Sequence, residues 1–376
     1  MQRFYFDHNA TTPVSPEVLE AIVPVMSEVY GNASSIHYFG QMARKKLDEA
    51  RRQVATMLGA TPEEVVYTSG GTEADNLALL GTGQSGHAIT TTVEHPAVLA
   101  AGSQLASVTH VPVDGRGIVD PDDIRRALRA DTKIISVMHA NNELGVIQPL
   151  AEIAKIAREA EVLFHSDGVQ AGGKIAVDVK RLGVDMYSIS GHKFYAPKGV
   201  GALYVRKGTK LQPILHGGHH ERDLRPGTEN VAGATGLGRA AQWITDHGAE
   251  EWSREESLRD RLEQGILERI PHSHVNGAGA PRTPNTSNIR FDGVDSDALL
   301  IALDLRGFAV SSGAACSSGA TEPSHVLMAI GLTKQQARSS LRFSLGRSNT
   351  AEQADALIEA VAESVAHLRK LAPAYA

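Results

Sequence analysis

Short runs rich in β-branched and aromatic residues alternate with helical stretches, and this alternation constrains the fold more than any other feature. The runs comprise residues 65–68, 88–91, 134–137, 162–165, 186–189 and 202–205. Helical spacing of apolar residues occurs around and between them, over residues 16–29, 43–58 and 150–159. This order predicts a mainly parallel sheet covered by helices on both faces. Ligands bind such sheets beyond the carboxyl ends of the strands, so the loops that follow the runs are candidate sites.

A change in composition near residue 250 divides the chain. Its 376 residues favour one large domain plus a smaller one. A charged amphipathic helix is predicted over residues 255–270, and a stretch rich in Pro, Gly and Asn follows it. We therefore predict a large domain over residues 15–250 and a smaller domain built from residues 1–14 and 251–376.

Composition and charge exclude several classes of function. The formal charge of −6 offers no basic surface for nucleic acid, so no nucleic-acid partner is predicted. No apolar run is long enough for a signal peptide or a membrane span, and we expect a cytoplasmic protein with no membrane contact. The one cysteine, Cys316, rules out a disulfide framework. Its thiol is either a small buried hydrophobe or a reactive group.

Two polar clusters that follow predicted strands could bind an anion and a cation. Residues 68–73 form a glycine-containing turn before a helix, where backbone N–H groups and the Thr72 hydroxyl could cradle a phosphate. The same pattern also suits a plain helix cap. Asp167 follows the run 162–165 and leaves a carboxylate at a strand end, or serves as another cap.

Two further clusters carry a lysine and a histidine. Lys193 lies among small and hydroxylated residues after the run 186–189, a setting that suits an amine used in Schiff-base chemistry, although most lysines are merely solvated. His95 is either a structural hydrogen-bonding group or a catalyst. Together the clusters supply a lysine, an acid, a phosphate cradle and a ring-facing group, which pyridoxal 5'-phosphate (PLP) requires.

The ordered motifs resemble those of the cysteine desulfurases, the NifS/IscS-like group of the class V aminotransferase family. The matching segments are residues 6–13, 69–76, 141–145, 190–193, 225–230, 311–319 and 342–347. The resemblance covers nearly the whole chain. It implies the PLP-dependent transferase fold type I, in which a large domain with a mainly parallel seven-stranded sheet between helices joins a smaller α+β domain.

The resemblance implies a role for each residue that contacts the cofactor. Lys193 matches the lysine that holds PLP as a Schiff base and moves substrate protons. Asp167 matches the carboxylate that keeps the pyridine nitrogen protonated, Gln170 the residue that bonds the ring hydroxyl, and His95 the histidine stacked on the ring. The phosphate cup corresponds to Gly71, Thr72, Ser190 and His192.

The resemblance also implies a partner subunit and a substrate. Thr228 matches a threonine that reaches the phosphate from the neighbouring subunit, which implies a homodimer. Asn142 and Arg342 match the groups that hold the carboxylate of L-cysteine, a task that suits an arginine fork. Cys316 matches the nucleophile that takes the substrate sulfur as a persulfide and leaves alanine. An acceptor protein, such as an iron–sulfur scaffold, would then receive the sulfur.

The chain departs from the family pattern at three positions, and rival functions share parts of that pattern. Ala33, Gly168 and Ala196 stand where proline, alanine and glycine are usual. A selenocysteine lyase or a cysteine sulfinate desulfinase is the nearest alternative, and a non-catalytic docking platform is a more distant one. A nicotinamide dehydrogenase is disfavoured because the Gly-x-Gly-x-x-Gly turn is missing. Residues 216–221 contain His and Glu, but we predict an active-site loop there and no metal.

Overall fold

Seven strands form a central sheet in this computed structural model, which describes residues 2–312 and 323–371. In chain order the strands are β1 (Phe4–Tyr5), β2 (Val65–Thr68), β3 (His87–Thr91), β4 (Ser107–Val111), β5 (Thr132–Ser136), β6 (Leu163–Asp167), β7 (Met186–Ser190), β8 (Gly201–Val205), β9 (Ser273–Val275), β10 (Thr286–Phe291), β11 (Phe308–Ala309) and β12 (Ser340–Ser344). The central sheet has the order β2-β8-β7-β6-β5-β3-β4, and within it only β8 runs antiparallel to its neighbours. The prediction of a mainly parallel seven-stranded sheet is confirmed.

Burial explains why most of these strands were predictable. All residues of β2, β3, β7 and β8 are buried, as expected of strands covered on both faces. Each of the six predicted runs overlaps one strand of the central sheet. The sequence analysis missed β4, which lies at the sheet edge with four of its five residues half-buried or exposed. Its sequence Ser-Val-Thr-His-Val therefore lacks an apolar run.

Helices cover the sheet and build much of the second part of the chain. They are α1 (Pro16–Ser27), α2 (Tyr38–Leu58), α3 (Gly71–Leu80), α4 (Pro96–Gly102), α5 (Pro121–Ala127), α6 (Leu150–Glu159), α7 (Val179–Leu182), α8 (Val231–Arg269), α9 (Ser296–Leu305), α10 (His325–Ala329), α11 (Lys334–Ala337) and α12 (Ala351–Leu371). Gly59 ends α2 in the left-handed region at φ 69°, where glycine carries no steric cost. In the described ranges, no helix has the combination of length and apolar character that a membrane crossing requires.

Helix α8 runs continuously through residue 250, where the sequence analysis places the domain boundary. Its first part contributes Leu237 and Ile244 to the core on one face of the central sheet. Its last part contributes Leu262 and Ile266 to a second core that contains Phe343. A single helix therefore supplies two cores. The domain boundary near residue 250 stays a prediction.

A second sheet holds the C-terminal part of the chain against the N-terminal segment. Strands β9, β10 and β12 form an antiparallel sheet, and β1 pairs with β11. The N–H of Ser344 donates to the carbonyl oxygen of Phe6 at 2.8 Å, and the N–H of His8 donates to the carbonyl oxygen of Ser344 at 3.1 Å. The segment that follows, from Asn9 to Thr12, then crosses to the turn that carries Lys193.

Candidate active site

Ten of the predicted site residues line one cavity of about 490 Å³ at the carboxyl edge of the central sheet. They are Gly71, Thr72, His95, Asn142, Asp167, Gln170, Ser190, His192, Lys193 and Arg342. Parallel strands bring this set together, because β2, β3, β5, β6 and β7 all end at the same edge. Every member except Arg342 lies at the end of one of these strands or in the segment that follows it, and Arg342 comes from β12 of the second sheet.

The first turn of α3 forms one wall of the cavity. Gly70 and Gly71 bring this turn so close to the neighbouring loops that a Cβ atom at Gly71 would lie 2.6 Å from Val169 Cγ2. The same Cβ would lie 3.6 Å from the Cβ of Ser190. The start of α3 therefore meets the ends of β6 and β7, and its N–H groups face a space that suits an anion.

The turn that carries Lys193 is fastened to the N-terminal segment. The amine of Lys193 donates to the carbonyl oxygens of Asn9 at 2.7 Å and Ala10 at 2.9 Å. The N–H of Thr12 donates to the carbonyl oxygen of His192 at 2.8 Å, and the Thr12 hydroxyl donates to the same oxygen at 3.0 Å. Burial and the charge of Lys193 lower the pKa of His192 to about 4, so its ring is neutral at pH 7.

Asp167 lies at the floor of the cavity with 5% of its surface exposed. Its Oδ1 accepts from the N–H of Val169 at 2.9 Å, and its carbonyl oxygen accepts from the N–H of His139 at 2.8 Å. Burial raises the pKa of the Asp167 carboxyl, while the neighbouring His95 side chain, the hydrogen bond from the Val169 N–H and the Lys193 amine oppose that rise. A buried carboxyl in this state is stabilised as an anion by any further cation that binds beside it.

His95 and Arg342 also line the cavity, and each is held by hydrogen bonds. His95 precedes α4, and its Nδ1 accepts from the N–H of Ala97 at 3.1 Å, which fixes the ring at the start of that helix. Arg342 is 1% exposed. Its guanidinium donates to Asp7 at 2.7 Å and to the carbonyl oxygen of Asn142 at 2.9 Å. These contacts hold the guanidinium in one orientation, in which it can pair with a carboxylate in the cavity.

Two predicted site residues are not in the cavity as described. Thr228 lines a separate space with Tyr67 and Glu221. Cys316 lies outside the described residues. Conversely, the cavity includes side chains to which the sequence analysis assigned no role, among them Asn9, Asp75, Glu143 and His325. Asn9, Asp75 and Glu143 belong to the matching segments 6–13, 69–76 and 141–145, so these motifs were the available signal.

The structure supplies a reason for one departure from the family pattern. Gly168 stands where alanine is usual, and a Cβ atom there would lie only 2.0 Å from Cζ of Tyr187. The Tyr187 hydroxyl is 2.7 Å from Nδ1 of His139, whose backbone N–H in turn binds Asp167. The tyrosine ring thus fills the space of the missing methyl group and supports the strand end that carries Asp167.

The stretch over residues 216–221 uses its one carboxylate in an ion pair. Glu221 accepts from the Arg51 guanidinium at 2.6 Å and 2.7 Å, and from the N–H of Tyr67 at 2.9 Å. His219 pairs with Asp223 at 2.6 Å. Within residues 2–312 and 323–371, no cluster of three or more His, Cys, Asp or Glu side chains has a geometry that could hold a metal ion.

We expect Arg51→Ala to lower the free energy of unfolding of the apoprotein by about 3–5 kcal/mol, because it leaves the buried carboxylate of Glu221 without its cation. Arg44→Ala is the matched control. Arg44 pairs with Asp48 at side-chain exposures of 55% and 41%, and its loss should cost about 0–1 kcal/mol. Urea unfolding measures both variants, and equal losses would contradict the prediction.

Comparison with known proteins decides the family. The family model described as Aminotransferase class-V matches residues 4–357. A cysteine desulfurase of Trichormus azollae is 48% identical, over 99% of this chain and 95% of its own length. A solved NifS-like protein superposes with a TM-score of 0.91 at 36% identity and covers 97% of this chain and 100% of its own. The chain belongs to the cysteine desulfurases of the class-V aminotransferase family.

A further solved structure, described as SspA in complex with cysteine, superposes on this desulfurase with a TM-score of 0.81 at 35% identity. The alignment covers 92% of this chain and 99% of that one. The family resemblance drawn from the motifs is therefore confirmed, together with the fold and the desulfurase class.

Buried histidines make the stability of this desulfurase depend on pH. Burial lowers the pKa of His139 to about 4 and that of His165 to about 3, whereas an unfolded histidine titrates near 6.5. Below about pH 6.5 the unfolded chain binds protons that the folded chain does not. The free energy of unfolding should therefore fall as the pH drops from about 6.5 towards 4.

Urea titrations of the apoprotein between about pH 7 and pH 5 test this dependence. His139→Gln should reduce the loss of stability between these pH values, because the substituted side chain does not titrate. The comparison cancels the contribution of carboxyl groups, which is common to both proteins. An equal loss in the wild type and His139→Gln would contradict the prediction.

Proposed function

We propose that this cysteine desulfurase uses PLP to remove the sulfur of L-cysteine, leaving L-alanine and a persulfide on Cys316. An acceptor protein would take the sulfur for iron–sulfur cluster or thio-cofactor assembly. The observation that carries the proposal is the convergence of ten predicted site residues on one cavity. The bound cysteine named in the description of the SspA structure supports the choice of substrate.

The residues of the cavity fit PLP. A Cβ atom at Gly71 would clash with Val169, so glycine allows the first turn of α3 to lie beside the cavity, where its N–H groups could hold a phosphate. Asp167 is a buried carboxyl that gains from a cation, which suits a protonated pyridine nitrogen. When bound, PLP withdraws electrons from the substrate carbon and so weakens its bonds. Gln170 and His95 would face the ring.

The side chains of the cavity divide the remaining work. The amine of Lys193 can hold the cofactor and then carry a proton to or from the substrate, since its flexible stem reaches the cavity from a fixed turn. Arg342 and Asn142 would hold the substrate carboxylate. Because Asp7 and the Asn142 carbonyl already orient the guanidinium, little side-chain entropy is lost when a carboxylate binds.

Cys316 completes the reaction in this proposal. Its thiolate forms a sulfur–sulfur bond with the substrate sulfur while the carbon–sulfur bond breaks. The carbon keeps the electron pair and takes up a proton, which yields alanine without any added oxidant. The Cys316 side chain lies outside the described residues, so its part in the proposal rests on the sequence.

We also propose a homodimer in which Thr228 serves the partner's phosphate site. Thr228 lies in a space separate from the cavity of its own chain. Helix α1 and the segment after it expose large apolar side chains, which include Val23, Met26, Tyr30 and Ile36.

Light scattering should give twice the chain mass, and Thr228→Ala should weaken PLP binding about tenfold through the loss of one hydrogen bond to a charged group. A monomer with full activity would refute the dimer.

The experiment that tests the function measures alanine and sulfide from L-cysteine and a reductant. Equal amounts of both products are expected from the wild type. Cys316→Ser should form neither. Since the chain has one cysteine, alkylation and mass spectrometry without reductant should find one added sulfur atom on Cys316. Full sulfide release by Cys316→Ser would refute the persulfide mechanism and favour a different PLP lyase, and comparing sulfide with selenide release would then test for a selenocysteine lyase.

A further inference from the structure

A second lysine, Lys174, lies buried beside the proposed catalytic lysine and has no role in the mechanism above. It is 6% exposed. Its Nζ donates to Oδ1 of Asn9 at 2.6 Å and to Oε1 of Gln170. Burial lowers the pKa of Lys174, and the charge of Lys193 lowers it further, while Glu255 opposes that shift. A buried amine is costly unless it is hydrogen-bonded, so these contacts stabilise Lys174 in its position.

Asn9 is the residue through which Lys174 reaches the site. Both lysines contact it: Lys174 binds its side-chain oxygen, and Lys193 donates to its carbonyl oxygen at 2.7 Å. The same carbonyl oxygen accepts from Nε2 of Gln170 at 3.0 Å. The Asn9 N–H donates to the Ser344 hydroxyl, and its side-chain NH₂ group donates to the Asn142 carbonyl oxygen and the Thr286 hydroxyl. Its Oδ1, which accepts from Lys174, also accepts from Nδ2 of Asn285 at 3.1 Å. Asn9 is 2% exposed, and its partners come from both parts of the chain. Its position is therefore tightly fixed.

The chemistry of Lys174 determines how the two amides point. An amine donates hydrogen bonds in its charged and its neutral form, so the atoms it contacts at Asn9 and Gln170 must be the amide oxygens. An amide carries its NH₂ group on the side opposite its oxygen. The NH₂ group of Gln170 is therefore turned away from Lys174 and donates to the Asn9 carbonyl oxygen, and the Gln170 residue itself lines the cavity.

We propose that Lys174 and Asn9 form a positioning pair that orients the Gln170 amide as a donor to the cavity and docks the Lys193 amine when it is not bonded to the cofactor. This inference rests on the proposed function. Without the Lys174 amine, the Gln170 side chain can turn over and present its oxygen to the ring hydroxyl of bound PLP. The ring oxygen would then lose a donor that favours its anionic form.

The absorption of bound PLP, titrated against pH, measures this effect directly. A donor to the ring oxygen stabilises the unprotonated form of the bound cofactor, so its loss raises the titration midpoint. We expect Lys174→Met to raise the midpoint by about one pH unit, the size of one hydrogen bond to a charged group. Lys180→Met is the matched control, because Lys180 is exposed on α7, and its midpoint should equal that of the wild type.

Two further variants decide whether Lys174 acts through its partners. Gln170→Leu removes the donor and should raise the midpoint equally, and Lys174→Met should add nothing to it in the double variant. Additive shifts would overturn the positioning role. Asn9→Ser removes the oxygen that anchors Lys174 and should shift the midpoint in the same direction.

The outcomes separate this inference from the proposed function. A wild type that binds no PLP, or makes no alanine, refutes the function itself. A wild type that does both, with an unchanged midpoint in folded Lys174→Met, overturns only the positioning pair. Should Lys174→Met fail to fold, an unchanged midpoint in Asn9→Ser overturns it instead.

Discussion

Lys193→Ala should lower the rate of alanine formation from L-cysteine by about 10³-fold or more. The variant loses the amine that would hold the cofactor and also the group that would move substrate protons, and proton transfer alone contributes about 10²–10⁴-fold. The structure supports this role because the amine, which lines the cavity, rests on the carbonyl oxygens of Asn9 and Ala10. Steady-state alanine release with saturating cysteine and PLP measures the effect.

Lys198→Ala is the matched control for this prediction. Lys198 follows in the same loop but is exposed and does not line the cavity, so its variant should retain wild-type activity. Borohydride treatment of the wild type should fix PLP on the peptide that contains Lys193. Label on another lysine, or wild-type rates in Lys193→Ala, would show that a different amine holds the cofactor.

Asp167→Asn should lower the same rate by about 10³-fold while the protein stays folded. The amide matches the carboxyl in size but carries no charge, so a protonated pyridine nitrogen loses its counter-charge in a buried site. Asp167 is 5% exposed, and water cannot replace the lost charge effectively. Single-turnover alanine formation, with PLP bound at saturation, separates this chemical effect from weaker cofactor binding.

An exposed carboxylate provides the control for Asp167→Asn. Asp246 lies on the surface of α8, where Asp246→Asn should leave the rate unchanged. Near-ultraviolet circular dichroism should confirm that both variants keep the wild-type packing. A rate close to that of the wild type in folded Asp167→Asn would remove the carboxylate from the proposed mechanism.

The two experiments have different consequences for the mechanism. Loss of activity in both variants would link the amine and the carboxylate to one cofactor, as their place in one cavity suggests. Loss of activity in Lys193→Ala alone would still support a Schiff-base lysine. A group other than Asp167 would then have to balance the charge of the pyridine ring. His95, whose electrostatic interaction with Asp167 lowers the pKa of that carboxyl, would then be the next residue to replace.

Local pattern determined much of the fold and the positions of the site residues along the chain. Six strands of the central sheet were predictable because burial on both faces requires runs of apolar residues, as in β2 and β8. Asp167 ends β6 and Lys193 lies in the turn after β7, so both fall at the edge of the sheet where parallel strands end together. The edge strand β4 was missed because solvent permits polar residues there.

Tertiary structure alone decided which distant residues meet. Arg342 reaches the cavity because β12 lies beside the N-terminal segment, and no local signal joins Arg342 to Asp7. Likewise, no periodicity places the buried amine of Lys174 on Asn9. The sequence by itself determined the strands, the loops and the reactive residue types, because these depend on neighbours along the chain. Packing between separate elements determined the contacts of Asn9, Lys174 and Arg342, because burial and hydrogen bonding act between residues far apart in sequence.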